Sequence, residues 1–315
     1  MSDVIVMKKN IFSIVIPIYY NESNIPYTLP RLLNLQKLLP NYDIEYIFVD
    51  DGSGDQSLSL LLDVKKQNSN IKIIKLSKNF GSMVAIQAGI HYAHGECIGV
   101  IAADLQDPPE LFVDMLSKWE DGYKTVLAVR EDRKDPWIQK LFSNLYYFLL
   151  RNAAFPDYPK GGFDFILFDR QVAKEIRQFS GKNTNIMTVI FSLGHKRYYI
   201  SYTRNKRETG SSKWTFIKKI NLFIDSIISF TYLPLRIMSF LGFLVAVISF
   251  VYGLFVINGY LKGSIQVPGW TALILTITFF SGLIMIMLGI MGEYLWRILD
   301  ESRKSPLFIV DEIFE

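Results

Sequence analysis

The sequence is poor in cysteine and lacks both a leader-like segment and a nucleic-acid-binding signature. Its 315 residues include one cysteine, Cys97, which excludes a disulfide framework within the chain and a metal cluster built on cysteines. The first residues, MSDVIVMKKN, contain no long apolar stretch of the kind found in a secretory signal. The net charge of +4 is mild, and no RNA- or DNA-binding motif is present. We therefore expect the amino-terminal part to stay in the cytoplasm and to bind no nucleic acid.

Charge is missing from two long segments near the carboxyl end. Residues 237–257 and 263–292 contain no Asp, Glu, Lys or Arg. About 20 apolar residues are needed to span a bilayer as a helix. The sequence therefore predicts transmembrane helices at about 237–257 and 268–292, within a membrane segment of 236–296. Because the two spans carry no charge, we expect them to anchor the protein and not to conduct ions.

Basic residues flank the two spans unevenly. Arg236 precedes the first span and Arg297, Arg303 and Lys304 follow the second, whereas the connector has only Lys262. Cytoplasmic flanks carry the excess of Lys and Arg in membrane proteins. The pattern predicts a hairpin in the cell membrane with the amino-terminal domain, both termini and a tail of residues 297–315 in the cytoplasm.

The first hundred residues alternate between apolar β-branched runs and segments with helical spacing of leucine. The runs predict strands at 12–18, 45–49, 71–76 and 97–102, and the segments between them predict helices at 27–39, 56–67 and 82–94. This alternation is typical of an α/β domain with a mostly parallel sheet. The polar clusters at 19–22, 50–55 and 104–107 follow strand ends, and we expect them to converge where such folds bind ligands.

Two aromatic-rich amphipathic segments lie outside this alternation. Residues 137–150 and 213–232 each place apolar side chains on one helical face and have basic neighbours. Such helices suit the headgroup region of a membrane, and ordinary core helices are the alternative. We assign residues 1–212 to one amino-terminal domain and residues 213–235 to an interfacial helix.

Two polar clusters carry candidate chemistry. Asp104 follows an apolar run and is followed by Gln106 and Asp107, a set of oxygen donors that suits Mg²⁺ or Mn²⁺. The turn Asp50-Asp51-Gly52-Ser53 could present backbone N–H groups and a carboxylate to a nucleotide, although it is neither a G-x-G-x-x-G loop nor a P-loop. Each cluster alone is equally compatible with an Asp-rich turn that caps a helix.

The order of the motifs along the chain is more specific than any one of them. The sequence contains, in order, P-x-Y-x-N-E at 17–22, V-D-D-G-S at 49–53, N-F-G at 79–81, A-D-L-Q-D-P-P at 103–109, R-x-x-G-x-S-K-W at 207–214 and P-L-R at 234–236. Together they resemble the family-2 glycosyltransferases of GT-A fold. Within that family the chain is similar to the dolichyl-phosphate mannose synthase and polyisoprenyl-phosphate glycosyltransferase group, in its bacterial membrane-anchored form.

The resemblance implies a role for each matching position. It implies that Asp104 and Gln106 hold Mg²⁺ or Mn²⁺, although Ala102 stands where some relatives carry a further Asp. The residues implied to line the nucleotide pocket are Pro17, Tyr19, Glu22, Asp50, Asp51 and Asp104. Those implied to bind the acceptor phosphate are Arg130, Arg207, Ser212 and Lys213, and of these Arg130, Arg207 and Lys213 are implied to assist catalysis together with Asp104.

Asp164 matches an aspartate that is a proposed base in relatives with a G-D-F pattern. In this chain Phe163 replaces the glycine of that pattern, and Ile166 replaces a frequent arginine. A lipid phosphate has a second pKa near 6 and is mostly dianionic at pH 7, so it hardly needs deprotonation. Asp164 could therefore orient a sugar hydroxyl or the nucleophile instead.

The resemblance implies a metal-dependent, inverting hexosyltransferase. It would transfer glucose from UDP-glucose to polyprenyl phosphate for modification of a cell-envelope glycan or glycolipid, and we expect a homo-oligomer. Transfer of mannose, galactose or an amino sugar remains open, because no residue discriminates between them. A processive polysaccharide synthase would be expected to carry a Q-x-x-R-W motif and more spans. A non-catalytic membrane scaffold with a nucleotide-binding fold is the alternative from another class.

Overall fold

A computed structural model of the chain describes residues 9–104, 106–130, 147–148, 150–152, 155–159, 162–179, 185–203, 233–262, 269–303 and 306–315. The chain divides into two compact units. One unit comprises Met1–Ser226 together with Pro306–Glu315, and the other comprises Ile227–Ser305. The first unit contains the sheet and the second contains the two long apolar helices.

The first unit is built on one eight-stranded sheet. Its strands are β1 (Asn10–Ile18), β2 (Tyr42–Asp50), β3 (Ile71–Leu76), β4 (Cys97–Val100), β5 (Thr125–Arg130), β6 (Phe165–Asp169), β7 (Arg197–Tyr202) and β8 (Val310–Phe314). Its helices are α1 (Ile25–Leu38), α2 (Ser57–Lys65), α3 (Ser82–Tyr92), α4 (Phe112–Glu120), α5 (Arg170–Arg177) and α6 (Ile186–Ser192). A short 3₁₀ turn, Pro109–Leu111, precedes α4.

The strand directions bring many strand ends to one edge of the sheet. The strands lie in the order β7-β5-β6-β4-β1-β2-β3-β8. β1 pairs in parallel with β2 and β4, and β2 pairs in parallel with β3. β6 runs antiparallel to both β4 and β5, while β7 is parallel to β5. The carboxyl ends of β1 to β5 and β7 therefore share one edge with the amino end of β6, and we call it the site edge.

The sequence pattern explains the core of this unit. Residues 12–16 of β1 are buried because neighbouring strands and helices cover both faces, as expected for a parallel sheet with a near-continuous apolar run. Phe112 of α4 packs edge-to-face on Phe12 at 5.1 Å and on Phe165 at 4.7 Å between ring centroids. This aromatic packing fixes α4 against β1 and β6, which lead to the site edge.

The predicted fold class is confirmed, with small shifts in the element bounds. The predicted strand at 71–76 is observed with those bounds as β3. The strand predicted at 97–102 ends at Val100, so the chain turns into the Asp104 loop earlier than expected. The amphipathic segment 137–150 is described only at 147, 148 and 150, and residues 213–232 lie outside the described residues. Their interfacial role stays a prediction.

The sequence pattern does not predict the carboxyl-terminal strand. Residues 297–315 were expected to form a tail, but β8 pairs antiparallel with β3 and completes the sheet. Lys75 of β3 pairs with Asp311 at 2.5 Å, and Lys72 pairs with Glu315 at 2.9 Å. The Ser77 N–H donates to the Ile309 carbonyl at 2.9 Å. The tail thus covers the β3 edge, which would otherwise expose unpaired backbone groups.

The second unit contains two helices, α7 (Leu233–Leu261) and α8 (Trp270–Ser302). Their 29 and 33 residues correspond to about 44 and 50 Å, longer than the roughly 30 Å hydrocarbon core of a bilayer. The most apolar windows are Leu235–Tyr252 and Phe279–Trp296, with mean hydropathies of 2.1 and 1.6. Neither window is buried. By length and composition, both helices can cross a membrane.

Candidate active site

Two loops at the site edge are tied to each other by side-chain hydrogen bonds. The loop after β1 contains Tyr19 to Glu22, and the loop after β2 contains Ser53 to Gln56 and leads into Ser57, the first residue of α2. The Tyr20 N–H donates to Ser53 Oγ at 3.1 Å, and the Asn21 N–H donates to Ser57 Oγ at 2.9 Å. The Gln56 N–H donates to the Glu22 carboxylate at 3.0 Å. The loop that contains the predicted residues Tyr19 and Glu22 is therefore held against the loop after β2.

Asp51 is a buried carboxylate that holds a neighbouring loop. Its two oxygens accept hydrogen bonds from the backbone N–H groups of Phe80 at 2.7 Å and Gly81 at 2.9 Å. Burial raises the pKa of Asp51 to about 6, against the lowering effect of those two hydrogen bonds. Asp51 thus joins the β2 turn to the N-F-G segment that precedes α3, a structural role beyond the predicted nucleotide contact.

Asp50 differs from Asp51 in its hydrogen bonding. The Ser53 N–H donates to Asp50 Oδ1 at 3.2 Å, whereas the buried Oδ2 has no hydrogen-bond partner in the part of the chain that the structure describes. Burial raises the pKa of Asp50, opposed by the bonds from Ser53. An unsatisfied buried acceptor is costly, and a donor group of a bound ligand would satisfy it.

Gly52 is required by the shape of this turn. It has a φ of +70°, and an added Cβ would lie 2.7 Å from the carbonyl carbon of Lys78 and 2.8 Å from the Asn79 nitrogen. Both contacts are with backbone, which cannot swing away as a side chain could. The glycine therefore allows the β2 turn to approach the chain after β3 closely.

Asp104 and Gln106 lie in the loop after β4, at the same edge. The Gln106 N–H donates to Asp104 Oδ1 at 3.3 Å, and the hydroxyl of Thr28 anchors the loop through the Ala103 carbonyl at 2.7 Å. Within the described residues, no group of three or more His, Cys, Asp or Glu side chains could hold a metal. A carboxylate and an amide oxygen fit Mg²⁺ or Mn²⁺, which take oxygen ligands and complete their shells with phosphate and water.

Arg130 and Asp164, predicted separately, form an ion pair. Arg130 ends β5 and Asp164 precedes β6, and β5 and β6 are adjacent antiparallel strands. The Arg130 side chain is 11% exposed and the Asp164 side chain is 57% exposed. Burial disfavours the charged guanidinium, but Asp164, Tyr202 and Asp107 outweigh that effect and raise the pKa of Arg130. Arg130 is therefore a fixed cation whose partner faces solvent.

The structure adds Tyr202 and Asp107 to this pair. The Tyr202 hydroxyl donates to Asp107 Oδ1, and Tyr202 pairs with Arg130 across β7 and β5. The sequence places Asp107 among the oxygen donors after Asp104, but its buried carboxylate accepts from Tyr202, a residue that belongs to none of the predicted motifs. The sequence separation of 95 residues between them explains why no local motif contains both. Only the register of β5 against β7 brings Tyr202 opposite Arg130.

The structure brings together most of the predicted site residues. Those at the site edge are Pro17, Tyr19, Glu22, Asp50, Asp51, Asp104, Gln106, Arg130 and Asp164. The three predicted residues of the R-x-x-G-x-S-K segment, Arg207, Ser212 and Lys213, lie outside the described residues. Their contact with an acceptor phosphate stays a prediction.

Carboxylates, the Arg130 guanidinium and tight turns lie together at this edge of the sheet. Residues 13–177, which contain all of these groups, match Glycosyl transferase family 2. The chain belongs to that family of glycosyltransferases, as the motifs predicted.

Three relatives match nearly the whole chain. An uncharacterised glycosyltransferase of Synechocystis sp. is 37% identical over 96% of this chain and 95% of its own length. The uncharacterised glycosyltransferase YkcC of Bacillus subtilis is 37% identical over 96% of this chain and 94% of its own length. The bactoprenol glucosyl transferase of Shigella phage SfV is 32% identical over 95% and 97%. The similarity therefore includes the apolar helices as well as the sheet.

Proposed function

We propose that this protein transfers glucose from UDP-glucose to polyprenyl phosphate at the cell membrane. The observation that carries the proposal is the similarity to the bactoprenol glucosyl transferase of Shigella phage SfV, which covers 95% of this chain. Bactoprenol is a membrane lipid, so its transferase must work beside a bilayer. The apolar helices α7 and α8 suit that location, and the excess of Lys and Arg outside them favours a cytoplasmic catalytic unit.

The proposed reaction is a single displacement at the anomeric carbon of glucose. An oxygen of the polyprenyl phosphate forms a bond to that carbon as the bond to the nucleotide diphosphate breaks. The electron pair of the broken bond leaves with the diphosphate as UDP, and the configuration inverts from α to β. The lipid phosphate is mostly dianionic at pH 7, so its attack needs orientation and charge stabilisation more than proton removal.

Each described site residue has a role that its environment supports. Asp50 would accept a hydrogen bond from the nucleotide, which satisfies its buried Oδ2. Arg130 would bind phosphate oxygens, since a guanidinium presents a planar fork of donors. Asp164 would orient a sugar hydroxyl or the attacking phosphate while it holds Arg130. With Arg207 and Lys213, Arg130 would neutralise charge that develops between the two phosphate-bearing substrates.

The metal would be held by Asp104 and Gln106 together with the donor diphosphate. When bound, Mg²⁺ or Mn²⁺ would supply positive charge that stabilises the leaving diphosphate. The structural support is the pair of oxygen donors joined in one loop by the bond from the Gln106 N–H to Asp104 Oδ1. Asp104→Asn keeps the size of the side chain but removes its charge, and we expect it to weaken both metal binding and transfer.

The test is a lipid-extraction assay. Purified full-length protein is incubated with polyprenyl phosphate and a panel of radiolabelled nucleotide sugars, with and without EDTA. We expect a chloroform-soluble product with UDP-glucose, at least about 100-fold less product with Asp104→Asn, and loss of product with EDTA. Asp164→Asn should also lower the rate, because the amide cannot pair with Arg130 as a charge.

The outcomes separate the parts of the proposal. Absence of a labelled lipid with every donor would contradict transfer itself, and product from another sugar would contradict only the choice of glucose. Undiminished transfer in EDTA would contradict the metal role of Asp104 and Gln106. Full activity of both variants would show that the site assignment is wrong even though the reaction is right. The stereochemistry of the product, read by NMR coupling at the anomeric proton, checks inversion.

A further inference from the structure

A chain of four side chains runs from the buried interior to the solvent at the site edge. Asp107 is fully buried, Tyr202 is 6% exposed, Arg130 is nearly buried and Asp164 is exposed. The Tyr202 hydroxyl donates to Asp107, Tyr202 is the strand partner of Arg130, and the Arg130 guanidinium pairs with Asp164. Burial, followed by the nearby Asp107 carboxylate, raises the pKa of Tyr202. The hydroxyl therefore keeps its proton and remains a donor to Asp107.

The strand register makes this arrangement rigid. Tyr202 and Arg130 are direct partners in the parallel pairing of β7 with β5. The two residues therefore cannot move apart unless backbone hydrogen bonds between these strands break. The Tyr202 ring packs edge-to-face on Phe165 at 6.2 Å between centroids, and Phe165 directly follows Asp164. The contact with Phe165 thus fixes the Tyr202 ring. Asp107 holds the Tyr202 hydroxyl, and Asp164 holds the Arg130 guanidinium.

The network also links two parts of the site that lie far apart in sequence. Asp107 is adjacent to Gln106, in the loop assigned to the metal, whereas Arg130 belongs to the part assigned to the acceptor phosphate. Tyr202 links the two parts, because its hydroxyl holds Asp107 in the loop after β4 and its backbone pairs with Arg130 at the end of β5. A group at this point sets the distance and direction between the two halves of the site.

We propose that Tyr202, held by Asp107, is a positioning residue that aims the Arg130 guanidinium at the acceptor phosphate. This inference rests on the proposed function for the identity of the acceptor. In this role Tyr202 acts through Arg130 and would not itself contact the acceptor. Tyr202 lies beside Arg130 as its strand partner, Asp164 pairs with the guanidinium, and the buried Nε–H of Arg130 has no hydrogen-bond partner among the described residues. Misplacing a charged group by about an ångström can lower a rate on the order of 100-fold.

The direct test is Tyr202→Phe, which removes the hydroxyl but keeps the ring on Phe165. We expect kcat/KM for polyprenyl phosphate to fall about 10- to 100-fold, with KM for UDP-glucose within about twofold of the wild-type value. The matched control is Tyr199→Phe on the same strand, where an exposed hydroxyl donates to the Asp157 carbonyl at 3.2 Å. The control should keep both kinetic parameters near wild type.

A double-mutant cycle distinguishes positioning from general support of the fold. If Tyr202 acts through Arg130, then Tyr202→Phe should cost less than about twofold more in an Arg130→Lys background, because lysine lacks the planar fork that the hydroxyl aims. Independent, multiplicative losses in the double variant would overturn the inference. Equal losses for the donor and the acceptor in Tyr202→Phe would overturn it as well.

Binding of a short-chain isoprenyl phosphate, measured by isothermal titration calorimetry, separates this inference from the proposed function. Weaker binding to Tyr202→Phe than to wild type and Tyr199→Phe supports the positioning role even if no nucleotide sugar is turned over. Equal binding to all three proteins, combined with unchanged transfer, contradicts the positioning role while the proposed function stands.

Discussion

Two adjacent aspartates at the end of β2 have different tasks. Asp51 accepts two backbone N–H groups and holds the segment before α3, whereas Asp50 keeps one buried oxygen without a partner among the described residues. Gly52 follows them with a φ of +70°. Asp51 and Gly52 therefore stabilise the shape of this turn. Asp50 is the one of the three whose side chain keeps a buried acceptor for a ligand.

The raised pKa of Asp51 predicts a pH effect on stability. Its pKa is raised from 3.8 to about 6 in the folded protein, so the folded state binds a proton more tightly than the unfolded chain. The contribution of Asp51 to the free energy of unfolding is therefore greatest below about pH 4 and falls as pH rises to about 6. Asp51→Asn lacks this titration.

Thermal unfolding of the wild type and Asp51→Asn between pH 4 and pH 7 tests this effect. The wild-type midpoint minus the Asp51→Asn midpoint should decrease as pH rises through this range. At pH 7 the variant should still be less stable than the wild type by about 1 kcal/mol. The reason is that asparagine has one side-chain oxygen, which can accept from the Phe80 or the Gly81 N–H but leaves the other N–H weakly satisfied. A difference in midpoint that is constant with pH would contradict the assigned titration.

The residues that sequence reasoning found are those in short motifs at strand ends. Asp50, Asp51, Asp104 and Gln106 were predictable because polar residues after a parallel strand are directed to one edge by the topology. The bridge from Tyr202 to Asp107 was not predictable, because it depends on which strand lies beside β5. That neighbour is fixed by sheet order, and sheet order is not a local property of the sequence.

At the scale of whole elements, β8 is the main departure from the sequence prediction. Apolar runs of β-branched residues predicted β1 to β4 because such strands are buried on both faces. In contrast, β8 has five residues, two of them acidic, and no pattern that separates it from a tail. Its partner Lys75 is 236 residues away from Asp311, so only the assembled sheet reveals the pairing.

Removal of β8 should weaken the first unit. Deletion of residues 306–315 would expose the backbone of β3 and remove Phe314, which packs partly buried against the core. It would also free the Ser77 N–H, which lies just before the segment that Asp51 holds. We expect a thermal midpoint lower by several degrees and an increased tendency to aggregate through the free edge.

Asp311→Asn is the control for this deletion, because it removes only an exposed charge that is worth about 1 kcal/mol at most. Differential scanning fluorimetry in detergent compares the two variants with the wild type. If the deletion variant unfolds at the same temperature as Asp311→Asn, then β8 pairs with β3 without stabilising the first unit.

At the scale of the whole molecule, a polar sheet unit and an apolar helical unit share one chain. Large apolar side chains on the helices are exposed, for example Phe250 at 70% and Leu261 at 77%. Exposed apolar surface of this extent marks a membrane or partner surface. The uneven Lys and Arg distribution predicts which side of the membrane each flank occupies, and this topology can be measured.

The single cysteine makes that measurement simple. In a Cys97→Ser background, Ser264→Cys places a thiol in the connector between α7 and α8, and Ser59→Cys places one on the exposed surface of α2. In intact cells a membrane-impermeant maleimide should label Ser264→Cys but not Ser59→Cys. After the membrane is permeabilised, both should react. Labelling of Ser59→Cys in intact cells would reverse the predicted topology.

The position of β8 in the chain also sets an order of events during synthesis. The strand follows α8 in sequence yet belongs to the same sheet as β1 to β7. A ribosome must therefore complete both apolar helices before the residues that finish the sheet exist. A chain that stops early, or that loses its last residues to a protease, has an open β3 edge. The sheet acquires its last strand only after both apolar helices have been made.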